Sequence, residues 1–189
     1  MHEILFEHAQ DIILYIKLEG QIVNANKRAC EQYGYTKEEL LLMKIQDLRH
    51  PSTVSEYEYQ MQMADEEGIT FDCIHMRKDG SNFPVEVSAK SISTENGRFR
   101  IHIIRDITMR KKNQEKIIWL AKYDSLTEIP NRANFMLRLD EEILRSMRSK
   151  IPFAVIMFDV DKFKQYNDHY GHETGDFALK HVALTVQSV

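Results

Sequence analysis

Clustered positive charge, cysteine and long apolar runs are all scarce in this 189-residue chain. Its 25 Lys and Arg are set against 29 Asp and Glu, for a formal charge of -4. That balance supplies no cation patch to neutralise the phosphates of a nucleic acid or the headgroups of an anionic membrane, so neither is expected as a partner. The two cysteines, Cys30 and Cys73, are too few and too far apart for a disulfide framework or a zinc module, which points to a reducing, cytoplasmic setting. No run approaches the length of a membrane span. The opening residues 1–20, "MHEILFEHAQDIILYIKLEG", mix acidic with apolar positions and show no small-residue cleavage site, so no direct membrane insertion is expected in this segment. Internal repeats and low-complexity tracts are absent as well. What is present is a 43% hydrophobic content, enough for one good core or two modest ones.

Residues 11–23, "DIILYIKLEGQIV", place β-branched and aromatic residues on either side of Glu19-Gly20, the pattern of a hairpin. Short helices are expected next, with Asn24 or Asn26 as a cap, Gly34 as a stop, and Thr36 with Glu39 as a capping box. The chain turns at His50-Pro51, and a further helical pattern ends at Gly68. Three antiparallel strands then follow, punctuated by Asp79-Gly80 and Asn96-Gly97. Val85, Val87 and Ala89 fall on one face and Glu86, Ser88 and Lys90 on the other.

Residues 109–123, "MRKKNQEKIIWLAKY", lack Gly and Pro and read as a connecting helix. In "DSLTEIPNRANFMLRLDEEILRSMR", Asp124 and Thr127 can cap and Pro130 breaks the chain before a long amphipathic helix. "IPFAVIMFDV" reads as a buried strand, and the chain ends in a last helix.

The densest polar stretch, residues 156–176, "IMFDVDKFKQYNDHYGHETGD", does not suit calcium. Phe163 and Lys164 stand where an EF-hand loop needs an oxygen ligand and a glycine. His169 and His172 have no convincingly spaced third and fourth ligands for zinc. Asp161 and Asp168 are read as solvated or capping carboxylates, and Cys30 and Cys73 as buried small residues.

The order "HAQDIILYIKLEGQIVNANKRACEQYGYTKEEL", the hairpin "RKDGSNFPVEVS" and the closing "RDITMRKK" resemble a PAS domain over most of residues 1–112. The resemblance implies an α+β sensory or dimerisation module, a five-stranded antiparallel sheet with flanking short helices and a pocket between them. Its ligand is not identified by any residue pattern. Neither cysteine sits in the setting of a flavin photosensor, and His50, His75, Met61 and Met63, though available to haem in principle, lie in no haem signature.

"DSLTEIPNR" and "FDVDKFKQYNDHYGHETGD" resemble, in the right order, the start of a GGDEF domain, the diguanylate cyclase family. The resemblance implies that Asp159 and the Val160 carbonyl hold Mg2+. It also implies that the backbone amides of Lys162 and Phe163 face the phosphates of GTP, and that Asn167 and Asp176 hold the guanine. A carboxylate at a strand end and free amides at a helix start suit those tasks. The family's Gly-Gly-Asp/Glu-Glu-Phe loop does not occur in this sequence, which has no adjacent glycines.

The expected organisation is a sensor at 1–108, a helical signalling linker at 109–123, and the N-terminal portion of an incomplete GGDEF-type α/β domain at 124–189. The chain is expected to be a catalytically incomplete part of a longer PAS-regulated cyclase that acts as a homodimer, its PAS region either sensing a small ligand or redox state or serving as a ligand-free scaffold. Two alternatives stand beside it: a non-catalytic PAS module with a degenerate GTP-binding domain, and the regulatory part of a cyclic di-GMP phosphodiesterase.

Overall fold

The computed structural model describes residues 2–95 and 97–188. The chain divides into two compact units, Met1–Lys112 and Asn113–Val189.

The first unit is built on the expected five-stranded antiparallel sheet: β1 (Ile12–Lys17), β2 (Ile22–Ala25), β3 (Ile69–Met76), β4 (Asn82–Thr94) and β5 (Gly97–Asp106). Their spatial order is β2-β1-β5-β4-β3, so the last strand is the central one. Gly20 and Gly80 turn the β1–β2 and β3–β4 hairpins at φ of +94° and +82°, which a side chain would resist. Of the third turn, Asn96 lies outside the described residues.

A short helix, α1 (His2–Glu7), precedes the sheet. Between β2 and β3 run α2 (Lys27–Tyr33), α3 (Lys37–Leu41), two 3-10 turns at Ile45–Leu48 and Pro51–Glu56, and α4 (Tyr57–Glu66). Asn26 caps α2, and Gly34 ends it in the left-handed region, its N–H donating to the Cys30 carbonyl. Thr36 and Glu39 form both bonds of the capping box that starts α3, at 3.2 and 2.9 Å.

Ile12, Leu14, Ile16, Phe83, Val85, Val87, Ala89 and Ile104 turn to the helical side and are buried against Tyr33, Leu40, Leu48 and Met61. Each large aliphatic side chain so buried stabilises the fold by about 1.5–3 kcal/mol. Asn26 ties the chain ends of this core together. Its carbonyl oxygen accepts from the Ile13 and Ala29 amides, both at 3.1 Å, and its amide group donates to the Phe6 and Asp11 carbonyls at 3.1 and 3.0 Å.

In the second part of the chain, α5 (Thr108–Lys122) buries none of its side chains, and Trp119 stacks on Tyr123 at 5.6 Å. Asp124 does not cap the long helix α6 (Arg132–Ser149). Its carboxylate instead closes the preceding loop, accepting from the Leu126 and Thr127 amides and the Thr127 hydroxyl. The cap is Asn131, which accepts from the Asn134 amide at 3.0 Å. Pro130 lies two residues before the helix, just ahead of the cap, where its fixed φ does no harm.

Residues 151–160 form no strand, contrary to the reading of "IPFAVIMFDV". A strand exists by pairing, and no described residue pairs with this stretch, so Ile156 and Met157 are 86% and 93% exposed. Two helices follow, α7 (Phe163–Tyr170) and α8 (His172–Gln187), which meet at Gly171.

Replacing Asn26 by Ala leaves buried amides and carbonyls unpaired at once. A loss of about 3 kcal/mol in urea unfolding of the first unit, followed by far-UV circular dichroism, is expected. Asn24→Ala, which removes only a bond to the adjacent Ala25 amide, should cost less than about 1 kcal/mol.

Candidate functional site

Between residues 151–160 and α7 the chain reverses at Asp161-Lys162, where Lys162 adopts φ +58°, an uncommon conformation for a residue other than glycine. Asp159 and Lys162 are exposed, and Val160 and Phe163 half-buried. The first-turn amides of α7 have no intrahelical acceptor and remain available to an anion. Asp159 and the Val160 carbonyl therefore precede a helix start by four and three residues.

At the other end of α7, the Gly171 amide donates to the Asn167 carbonyl at 2.8 Å, and α8 folds back. The two helices close where Asn167 meets Gly175. A Cβ at Gly175 would lie 1.7 Å from the Asn167 side-chain oxygen and 2.8 Å from its Cγ. That oxygen is buried and has no hydrogen-bond partner. Asp176, the next residue, is exposed. Asn167 and Asp176 are thus brought to one helix junction by a glycine that the sequence reading passed over. Its signal was the "GHETGD" pattern itself, a glycine one place before the acidic residue.

No group of three or more His, Cys, Asp or Glu among the described residues forms a metal cage. Asp159 and Val160 offer two oxygen donors, one of them anionic. That set fits a hard cation completing its shell with water and phosphate oxygens, and does not fit zinc.

A second polar cluster lies inside the first unit. Arg100 and His102 on β5 point inward and are buried, whereas Ile103 is 43% exposed. Arg100 grips Asp65 of α4 in a bidentate pair, with Nε to Oδ1 at 2.8 Å and Nη2 to Oδ2 at 2.6 Å, and donates to the Leu18 carbonyl at 2.8 Å. The Ser91 hydroxyl donates to the same carboxylate. These bonds, the Arg100 bond foremost, hold the Asp65 carboxyl below its usual range.

Arg49 is buried over the rings of Phe71 and Tyr57, at 5.4 and 5.8 Å, and donates to Gln60 Oε1 at 2.6 Å and Thr53 Oγ1 at 3.4 Å. Both ring nitrogens of His102 are buried without a partner. Burial, aided by the Arg49 charge, pushes His75 down to about 3, and burial with Arg100 and Arg49 does the same to His102. Burial also pushes the Cys73 thiol up to about 11, and Cys30 is raised for the same reason, so neither is a ready thiolate. Three of the four residues considered for haem have structural employment: His75 Nδ1 lies 2.7 Å from the Tyr33 hydroxyl, His50 caps a 3-10 turn, and Met61 fills the core.

The family model for the PAS domain matches residues 10–109, over half of the chain. The chain belongs to the PAS family. A second model, described as diguanylate cyclase, GGDEF domain, matches residues 121–189, so the PAS domain is followed by a GGDEF domain segment. The PAS domain of a Colwellia psychrerythraea protein superposes with a TM-score of 0.53 at 26% identity, covering 58% of this chain and 96% of that one. Diguanylate cyclase DgcM of Escherichia coli is 29% identical over 173 residues, which is 90% of this chain and 42% of that protein. Signaling protein YkoW of Bacillus subtilis is 25% identical over 98% of this chain and 23% of that protein. The chain thus spans less than half the length of these two relatives. No helix among the described residues is long and apolar enough to cross a membrane.

Two outcomes follow from this geometry. Because His75 and His102 are neutral in the folded PAS domain down to about pH 3, against an ordinary 6.5, their neutrality contributes stability that is complete above pH 6.5 and is lost as pH falls toward 3. Urea melts should show stability falling below pH 6.5 by up to about 1.4 kcal/mol per pH unit for each histidine, and His102→Leu should remove one histidine's share of the slope. Gly175→Ala should force Asn167 away and weaken the α7–α8 pair by about 1–3 kcal/mol, read by amide exchange in those helices. Asn167→Ala in the same chain should restore most of that loss, since the two side chains compete for one space.

Proposed function

We propose that this chain is the sensing and nucleotide-binding part of a PAS-regulated diguanylate cyclase, which joins two GTP molecules into cyclic di-GMP. The observation that carries the reading is the junction of α7 and α8, where Asn167 packs on Gly175 with a buried, unpartnered oxygen and Asp176 stands beside it. A carboxylate at this position accepts from both donors on the pairing edge of guanine, and adenine presents a different pattern. The amides of Lys162 and Phe163 bind phosphate oxygens at the start of α7. Asp159 and the Val160 carbonyl hold Mg2+, which when bound neutralises charge on the triphosphate.

Each such half-site handles one GTP, and the reaction needs two, so the working unit is a homodimer in which each 3′-hydroxyl attacks the α-phosphorus of the other nucleotide, its α–β bond breaks, and two pyrophosphates leave. The helix α5 carries the state of the PAS domain, set by a small molecule in its pocket, to the geometry of the two half-sites. The reduced, protonated thiols suit a cytoplasmic setting. The loop that completes the catalytic site in this family has no counterpart among these 189 residues, so they form the GTP-binding half of the chemistry.

Fluorescent GTP with Mg2+ should bind the 189-residue chain and be displaced by GTP but not ATP. Asn167→Ala and Asp176→Ala should each weaken it about tenfold or more. Equal displacement by ATP would overturn the guanine assignment. The chain incubated with GTP and Mg2+ should yield no cyclic di-GMP. In a full-length parent with an intact loop, Asp159→Ala should abolish synthesis while leaving the melting of the PAS domain unchanged.

A further inference from the structure

The surface of the PAS domain carries negative charge that no basic group answers. Where the β1–β2 turn faces α4, an open cleft of about 420 Å³ is walled by Glu19, Glu58 and Glu66, all exposed. Among the described residues no Lys or Arg lies within ion-pair distance of these three carboxylates, and the hydrogen bond Glu66 accepts, at 3.0 Å, comes from the neutral Gln62. Asp65 and Arg100 also line the cleft but cancel each other. The helix adds to the imbalance. α4 ends on Asp65 and Glu66, with Glu67 as its C-cap and no basic residue in its last turn, although a helix C-terminus is itself the negative end of the dipole and favours cations.

Tyr57 supplies a second, independent sign. It is only 8% exposed, yet it lines the cleft, and its hydroxyl makes no hydrogen bond to any described residue. The hydroxyl ends at the turn that walls the cleft: a Cβ on Gly20 would stand 3.3 Å from it, and the glycine leaves that approach open. Polar groups on buried side chains are ordinarily satisfied within the fold, so one left to face a cleft is available to whatever fills it. Leu18 and Met61 give the cleft apolar surface between its charged walls. The carboxylates are spread out. No group of three among the described residues could hold a metal ion, and Glu58 and Glu66, near the two ends of α4, are separated by about 12 Å along the helix axis.

We infer that this surface cleft binds a linear polyamine, its ammonium groups paired with Glu58, Glu66 and Glu19, one of them donating also to the Tyr57 hydroxyl oxygen, and its methylenes laid over Leu18 and Met61. Separated negative charges with apolar surface between them call for separated positive charges with methylenes between them, and a single metal ion cannot meet both ends at once. Ammonium groups donate and never accept, which suits carboxylates and a phenol oxygen with free lone pairs. The cleft lies beside α4, outside the packed core. A ligand there joins the β1–β2 turn to the helix that the Arg100–Asp65 pair already fixes against the sheet.

The test is titration calorimetry of the full 189-residue chain with spermidine, in the absence of GTP and Mg2+. Binding should be saturable, with a Kd below about 1 mM at about 20 mM salt, and should weaken several-fold at about 200 mM salt as ions screen the pairs. Propylamine, which carries one ammonium group, and Mg2+ at equal ionic strength should not compete on equal terms. Glu58→Gln with Glu66→Gln should weaken binding about tenfold or more, and Tyr57→Phe, which keeps the ring and removes only the hydroxyl, about threefold or more. Glu141→Gln with Glu142→Gln makes the same change of charge on α6 and should bind as the natural chain does. Far-UV circular dichroism checks that each variant is folded. The inference is overturned if spermidine does not bind saturably, if propylamine or Mg2+ competes equally, if the α6 changes weaken binding as much as the α4 changes, or if Tyr57→Phe binds as tightly as the natural chain. Asp159→Ala should keep spermidine binding while losing metal-dependent GTP binding, so that failure at the cleft and failure at the nucleotide site are read separately.

Discussion

A central strand that turns a guanidinium and an imidazole toward the core is the constraint to which much of the PAS domain answers. Because β5 lies between β1 and β4, its inward groups cannot reach water, and each needs a partner or remains costly. Arg100 obtains one from Asp65, and that bidentate pair, with the Ser91 hydroxyl, fixes α4 against the sheet. His102 obtains none and stays neutral. The polar part of the interior and the placement of α4 are therefore one arrangement. A change of state at His102 or Arg49 bears directly on the elements that pack over them.

The other end of the PAS domain is tied to its sheet by charge. At the start of α5, Arg110 lies 2.8 Å from Glu86 and 3.5 Å from Asp72, and Lys111 lies 3.5 Å from Asp72. Asp106 meets Arg77 at 3.3 Å and also accepts from the Thr108 amide at 2.8 Å. Single exposed pairs of this kind contribute little, about 0–1 kcal/mol each. As a group on neighbouring strands they hold the first turn of α5 to the sheet. The apolar residues farther along α5, Ile117, Ile118 and Leu120, are exposed.

Much of the PAS fold was legible because its signals are local. The Thr36–Glu39 capping box, the Gly34 stop, the Gly20 and Gly80 turns and the alternation of Val85, Val87 and Ala89 each depend on a few neighbouring residues, and all appear in the structure. The GGDEF segment was legible as motif but less so as structure. "IPFAVIMFDV" has the composition of a buried strand, yet composition cannot provide a partner, and residues 151–160 remain unpaired. Asp124 was read as a cap from its residue type, but Asn131 is the residue positioned at the helix start.

What the amino-acid order determined by itself is the identity of the modules and the chemistry available to them: a PAS domain, a helix without breakers, and a GGDEF segment with its carboxylates and helix-start amides. Those follow from short-range spacing and from the kinds of atoms each side chain carries. Only the tertiary structure decided which face of β5 is the inner one. From "FRIHIIRD" alone, Ile101 and Ile103 have the better claim to the core, yet pairing with β1 and β4 turns Arg100, His102 and Ile104 inward. It likewise decided that Asn167 packs on Gly175, the residue before Asp176. Both outcomes arise from contacts between segments distant in the chain or packed across a turn, where register and close approach, and not local preference, set which side chains meet.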